Sequence, residues 1–403
     1  MSSIMEAIPL SGMVSSSGYY FTRQSRTEQG TSHLLLHESF RLKYQRRDNL
    51  TFNASGVFAL DPLNSSINPF FNLYTLSVSK KNMLSLFDLK FGRLFVFDQS
   101  NSGRIDGLNL QGSFLSKTKY TVYAGGLVFS DGGFSNPMES HLLGINISWQ
   151  LKDDAKLSFA LSQKARSREV YTPSYYRNNF YGDYSKSIEL PTVSERRLGL
   201  QLDVHRDAWS LHVATVGNIK WLNIQRFNSI LTYSKGNFQK LLFEYYFRRP
   251  RIDYNSIFSV FDSQTHQQFS ASTIYMVRSK YHISSKLQTT LFSDETSFLS
   301  TFGVGTDKVS VQYKFQTGYG GEFHWGTLRG QRRVLTSLTI RANLNVGNYK
   351  PLDNSWESLA TIMAGISYKP TQFLTFSADV HLLKNRYYDH DTRLLIRANY
   401  FIR

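Results

Sequence analysis

The chain has 403 residues, with 46 Lys and Arg against 30 Asp and Glu and a formal net charge of +16. Its bases are scattered over the whole length instead of forming a patch or tail, which argues against nucleic acid as the partner. Cysteine is absent, so disulfides, thiolate metal sites and a covalently attached c-type haem are excluded on this chain, and no cofactor is expected.

The first residues, MSSIMEAIPLSG, lack the basic and apolar regions of a signal peptide. No run of about 18 apolar residues follows, so no transmembrane helix is expected. Helical periodicity is nearly absent, whereas period-two alternation recurs from one end of the chain to the other and predicts an all-β protein. Hydrophobic residues make up only 41% despite 24 Tyr and 30 Phe, and mean hydropathy is -0.32. Half of each strand must therefore face water, as in a transmembrane barrel that spends alternate residues on lipid.

In chain order, His33 and His37 of HLLLH share a strand face, but at about 13 Å apart they are too distant to ligate one metal. They read as lumen or rim histidines. The segment 166–193, rich in Tyr and Asn, is the longest connection and is expected to be ordered by packing or folded inward, with a disordered tip as the alternative. Leu198, Leu200, Leu202 and Val204 then alternate with Arg197, Gln201, Asp203 and His205.

The stretch LLFEYYFRRPRIDYNSIFSVF, 241–261, changes character midway. Leu241, Phe243, Tyr245 and Phe247 form a lipid face, with Lys240, Leu242, Glu244 and Tyr246 turned to the lumen. Arg248, Arg249 and Pro250 end the strand. The apolar continuation predicts that 250–265 folds back onto the inner wall or the mouth, with Arg248, Arg249 and Arg251 at a constriction. The alternative is an outer loop whose arginines pair with lipopolysaccharide phosphates.

Val309, Val311, Tyr313 and Phe315 oppose Ser310, Gln312, Lys314 and Gln316. The segment 333–346 reads as one strand, with Val334, Leu338, Ile340, Ala342, Leu344 and Val346 on the lipid face and Leu338 and Ile340 near the bilayer midplane. Leu374, Phe376, Ala378, Val380 and Leu382 oppose Thr375, Ser377, Asp379 and His381. Asp389, His390 and Asp391 fall in a stretch read as a solvated loop, with a cation site as the alternative.

Short polar connections such as HRDAW and YSKGN alternate with longer ones such as DPLNSSINPFFN, FDQSNSGRID and SDGGFSNPMES. Tracing them places both termini on the short-turn side. All nine prolines fall outside the strands, as a closed ladder in lipid demands. The count is about 22 strands, with about 18 or 20 as alternatives should weak ones such as EFHWGTL fail, at about 10 residues per tilted strand. The expectation is one transmembrane antiparallel up-and-down barrel over 1–403 with no plug domain.

Aromatic residues at strand ends, among them Tyr44, Trp149, Tyr233, Tyr313, Tyr368 and Tyr400, are expected in two interfacial girdles. On the inward faces Arg41, Lys43, Lys90, Arg197, Lys240, Lys314, Arg341 and Arg397 outnumber Asp203, Glu244 and Asp379. Such a lumen favours anions, unless the charges are locked in cross-strand pairs. No phosphate loop, zinc pattern or nucleophile elbow is present, so no enzyme is expected.

The segment LKFGRLFVFDQSNSGRIDGLNLQGSFLSKTKYTVYAGG, 89–126, resembles bacterial porin-like outer-membrane barrels through Gly92, Arg93, Asp106, Gly107, Gly125 and Gly126. The last strand, Leu394 to Ile402, alternates as in those barrels but is followed by Arg403 where they carry an aromatic. The resemblance implies a bacterial outer-membrane location among lipids and lipopolysaccharide, and a channel for small polar or anionic solutes. Two alternatives accompany it. One is a barrel that sheaths or anchors a protein partner such as a periplasmic multihaem cytochrome, and the other is an outer-membrane hydrolase.

Overall fold

The computed structural model describes residues 10–25, 31–46, 49–63, 69–114, 117–129, 132–167, 169–171, 188–190, 193–249, 264–318, 321–350, 355–385 and 388–402. Period-two alternation becomes strands throughout, because one face can be given to lipid only if every backbone N–H and C=O is paired with a neighbouring strand. The chain begins with β1 (Leu10–Ser25), β2 (Thr31–Gln45), β3 (Leu50–Leu60), β4 (Phe70–Met83), β5 (Phe87–Phe97) and β6 (Ser102–Phe114). It continues through β7 (Thr118–Leu127), β8 (His141–Lys152) and β9 (Ala155–Arg166), then a small hairpin of β10 (Glu169–Tyr171) and β11 (Ile188–Leu190). Next come β12 (Val193–Arg206), β13 (Trp209–Asn218), β14 (Asn223–Lys235), β15 (Phe238–Arg248), β16 (His266–Val277), β17 (Tyr281–Leu291) and β18 (Thr296–Gly305). The last are β19 (Val309–Thr317), β20 (Glu322–Leu335), β21 (Leu338–Lys350), β22 (Glu357–Tyr368), β23 (Leu374–Lys384) and β24 (Tyr388–Ile402).

All but β10 and β11 form one 22-stranded antiparallel sheet. Each strand pairs with the next, β9 pairs with β12 across the long connection, and β1 pairs with β24 to close the barrel. The β10–β11 hairpin lies within the 166–193 connection, whose residues 172–187 fall outside the described set. The start of β1 and the end of β24 lie at the short-turn edge, since Leu10 lies opposite Tyr44 and Gly12 opposite Ile402. The described prolines, Pro62, Pro69, Pro137 and Pro370, all lie outside strands.

Three sequence readings are corrected. The segment 333–346 is not one strand: a turn at Thr336 and Ser337 separates β20 from β21. FDQSNSGRID is not a long loop, because only residues 98–101 connect β5 to β6. Asp389 to Asp391 belong to β24, where the Asp391 carboxylate accepts hydrogen bonds from Arg393 at 3.0 and 2.6 Å, so it is already engaged by a cation of its own chain.

The facing pattern is clear from exposure. On β19, Val309, Val311 and Tyr313 are half exposed, while Ser310 and Gln312 point inward toward Arg329. Tyr44, Trp149, Tyr368 and Tyr400 are exposed on the outer face near the short-turn edge, as one aromatic girdle requires, whereas Tyr313 lies at the middle of β19.

The largest departure from a simple cylinder is the tip of the β5–β6 hairpin. β5 pairs with β4 only as far as Arg93 opposite Leu76, and β6 pairs with β7 only as far as Ile105 opposite Leu127. Between themselves β5 and β6 continue to Phe97 opposite Ser102. The break follows a row of glycines in register, Gly92, Gly107 and Gly125. Gly92 has φ of 116°, open only to glycine without strain, and a side chain at Gly107 would overlap the backbone of Ala124 and Gly125. Here the sheet folds over on itself and carries the hairpin tip inside the barrel.

Candidate functional site

The folded-in tip is held by apolar packing at its root and by polar contacts at its end. Leu94, Val96 and Ile105 turn toward the inner wall and form a buried cluster with Tyr123, Leu127 and Leu142. Arg93 and Asp106 clamp the bend with paired hydrogen bonds, Nε to Oδ1 and Nη2 to Oδ2, both 2.9 Å. Arg93 also donates to the carbonyls of Leu73 and Gly132, and Arg104 donates to Asn72 Oδ1 at 2.8 Å, so both arginines cap the edge of β4 that the departing hairpin leaves unpaired.

Asp98 shapes the turn itself. Its Oδ1 accepts from the backbone N–H groups of Ser100 and Asn101, and its Oδ2 accepts from the Tyr123 hydroxyl at 2.6 Å. Beyond it, Ser100 donates to Ser162 Oγ on β9 at 2.8 Å, and Asn146 on β8 donates to Gln99 Oε1 at 2.8 Å. Gln99 also packs over Gly199 of β12, and its carbonyl accepts from Arg226 of β14 at 3.2 Å. The tip thus reaches from β5 and β6 across the inner wall to β14, and narrows the lumen.

Arg226 sits directly opposite Arg248 in the register of β14 and β15, and Arg248 opposite His266 on β16. This places two arginines on neighbouring strands of the lumen wall, with the guanidinium of Arg226 at the hairpin tip. Of the residues singled out in the sequence, Arg248 is therefore the one in register with Arg226. Arg249 follows at the strand end, its N–H donating to the Gln225 carbonyl at 2.9 Å. Arg251 lies outside the described residues, as do 250–263 of the segment expected to fold back.

The other inward cations divide into two groups. Arg197 is paired with Glu195 at 2.7 Å, and Arg341 with Asp379 at 2.6 Å. Arg41, Lys43, Lys90, Lys240 and Arg397 have no ion pair among the described residues, and Lys314 stands 5.0 Å from the centre of the Phe323 ring. Asp203 is engaged by His212 at 2.7 Å, and Glu244 accepts from Ser270 at 3.2 Å. His33 contacts Asp61 at 3.0 Å, and no cluster of three metal-ligating side chains occurs among the described residues.

Sequence reasoning missed Arg226, Gln99, Phe95 and Phe97. The two phenylalanines continue the lipid-facing alternation of Phe91, but the fold at Gly92 turns their face toward the lumen, where they are 62% and 78% exposed. The glycine row was the available signal, because a close backbone approach across three strands marks a sharp bend.

No family model matches the sequence, and no curated protein matches it. Among solved structures, the chain is similar to the translocation pore of the P pilus usher PapC, with 9% identity, a TM-score of 0.55, and 97% of this chain and 99% of that one covered. It is also similar to OccK2 (OpdF) of Pseudomonas aeruginosa, with 8% identity, a TM-score of 0.45 and 98% and 99% covered. The likeness to the usher pore is one of fold, a closed antiparallel β-barrel.

Proposed function

We propose that this chain is a channel in a bacterial outer membrane that passes small polar solutes and prefers anions. The observation that supports the reading most is the narrowing between the hairpin tip and the wall, where Arg226 meets the tip and Arg248 lies in register with it. Two adjacent cations in a confined aqueous passage raise the local concentration of anions and repel cations. The unpaired Lys90, Lys240 and Arg397 extend the same sign of potential along the wall.

A barrel that sheaths a polypeptide partner is the less favoured reading, because the hairpin tip occupies the inner wall and would first have to leave it. No described feature favours a hydrolase. The test of the channel reading is reversal potential in a planar bilayer under a salt gradient. Changing both Arg226 and Arg248 to Gln is expected to move selectivity toward cations, and unchanged selectivity in a folded, conducting barrel would reject the assignment.

A further inference from the structure

The folded hairpin roofs a chamber of about 470 Å³ on the lumen wall, within the range of about 300–1,000 Å³ typical of small-molecule sites. Its lining combines three kinds of group. Asn109, Gln111, Thr121 and Asn146 supply side-chain amides and a hydroxyl, Lys90 supplies a cation, and Phe95 and Phe97 supply aromatic surface.

Two of these groups lack protein partners. Asn109 is 7% exposed, in register between Lys90 and Tyr123, and its Oδ1 has no hydrogen-bond donor. The side chain of Asn109 lines the chamber, where its amide is a polar group that a bound solute can meet. Lys90 has no ion pair among the described residues. By contrast the other charged groups of the lining are spoken for, Arg93 by Asp106 and Asp98 by Tyr123 and its own turn.

We infer that this chamber is a binding site for a small polyhydroxylated solute carrying one anionic group, a sugar acid in chemical class. Each hydroxyl of such a solute can donate to an amide oxygen and accept from an amide N–H, which a simple carboxylate cannot do. The single carboxylate meets Lys90, and the apolar C–H face of the carbon chain or ring lies against Phe95 and Phe97. The site rests on the channel reading for its route of supply, and it would slow such a solute on its way through the lumen.

The test uses the detergent-solubilised barrel with gluconate, glucose and acetate as probes, measured by equilibrium dialysis alongside blockade of bilayer conductance. Gluconate is expected to bind at least tenfold more tightly than either of the others. Lys90→Gln should reduce gluconate to the level of glucose, and Asn109→Leu should weaken both about tenfold, with Gln111→Leu as the substitute if Asn109→Leu does not fold. Lys152→Gln, at the short-turn edge and away from the chamber, should change nothing. Equal binding of the three probes, or gluconate binding insensitive to Lys90→Gln, would overturn the site. Preferential gluconate binding by a barrel that carries no current would leave the site standing and remove the channel reading instead.

Discussion

Arg341 and Asp379 clasp each other across a strand that lies between them. Arg341 is on β21 and Asp379 on β23, and both are in register with Gly365 of β22. The guanidinium reaches Oδ1 at 3.0 and 2.7 Å and Oδ2 at 2.6 Å. A side chain at Gly365 would overlap Asp379 Oδ1, so the missing Cβ is what lets the pair close.

The clasp hides a positive charge from the lumen, and this gives the first prediction. Asp379→Asn leaves Arg341 uncompensated and should shift the bilayer reversal potential toward anions, opposite in sign to the Arg226 and Arg248 changes. Because Arg341 is 45% exposed, the stability effect should be small, about 1 kcal/mol or less. An unchanged reversal potential would show that Arg341 does not see the permeating solute.

The second prediction concerns depth on the lipid face. Leu344 lies between Leu328 and Ile362, all three outward and half exposed, in the middle of β21. Ile340 lies close to the turn at 336–337, opposite Arg332, itself an outward cation that belongs at the headgroup level. Leu344→Arg should cost about 2–4 kcal/mol and Ile340→Arg about 0–1. Asn343→Arg, on the lumen face, should be tolerated. Urea titration followed by the mobility difference between unheated and boiled samples ranks the three, and equal losses would mean the faces are misassigned.

The error in reading Ile340 as central shows what alternation can and cannot reveal. A two-residue turn alone inverts the phase of a period-two pattern, but the register shift between Arg333 and Leu335 restores it, and Thr336 and Ser337 carry neither Gly nor Asn to mark the reversal. The pattern therefore runs straight through from Val334 to Leu338. The same alternation made the lipid and lumen faces of β12, β15, β19 and β23 legible without further help. It failed at Phe95 and Phe97 because the partners that place them, Tyr123, Leu142, Ser162 and Arg226, are distant in sequence. Lumen-facing cations were legible one by one, but their pairing was not, since Arg341 finds Asp379 only through the register of three strands.

A third prediction follows from the clamp at the bend. Arg93 is 6% exposed and its bonds to Asp106 lie where water is scarce. Removing one partner of such a pair leaves a buried charge, and Arg93→Ala or Asp106→Ala should each cost about 3–5 kcal/mol. The double replacement should cost less than the sum of the two singles. Additive losses in urea titration would mean that the two residues act separately, Arg93 through the carbonyls of Leu73 and Gly132 rather than through its carboxylate partner.

The last prediction asks whether the hairpin tip controls the passage. The hydroxyls of Ser100 and Ser162 are 2.8 Å apart, one on the tip and the other on the β9 wall, so a cysteine at each position can be oxidised to a disulfide that fixes the tip in place. Because the tip already lies on the wall, the oxidised double variant should conduct like the unmodified barrel and lose any slow open-closed transitions that come from the tip lifting. Replacing residues 97–102 with a two-residue Gly turn should do the opposite. It removes Gln99 and Ser100 from the inner wall, leaves the Arg93 and Asp106 clamp intact, and should raise single-channel conductance while weakening anion preference, since Arg226 and Arg248 then face a wider, better screened aqueous space. A shortened barrel that folds and conducts as before would place the main path of solute away from the hairpin, and would take with it the role assigned to the two arginines.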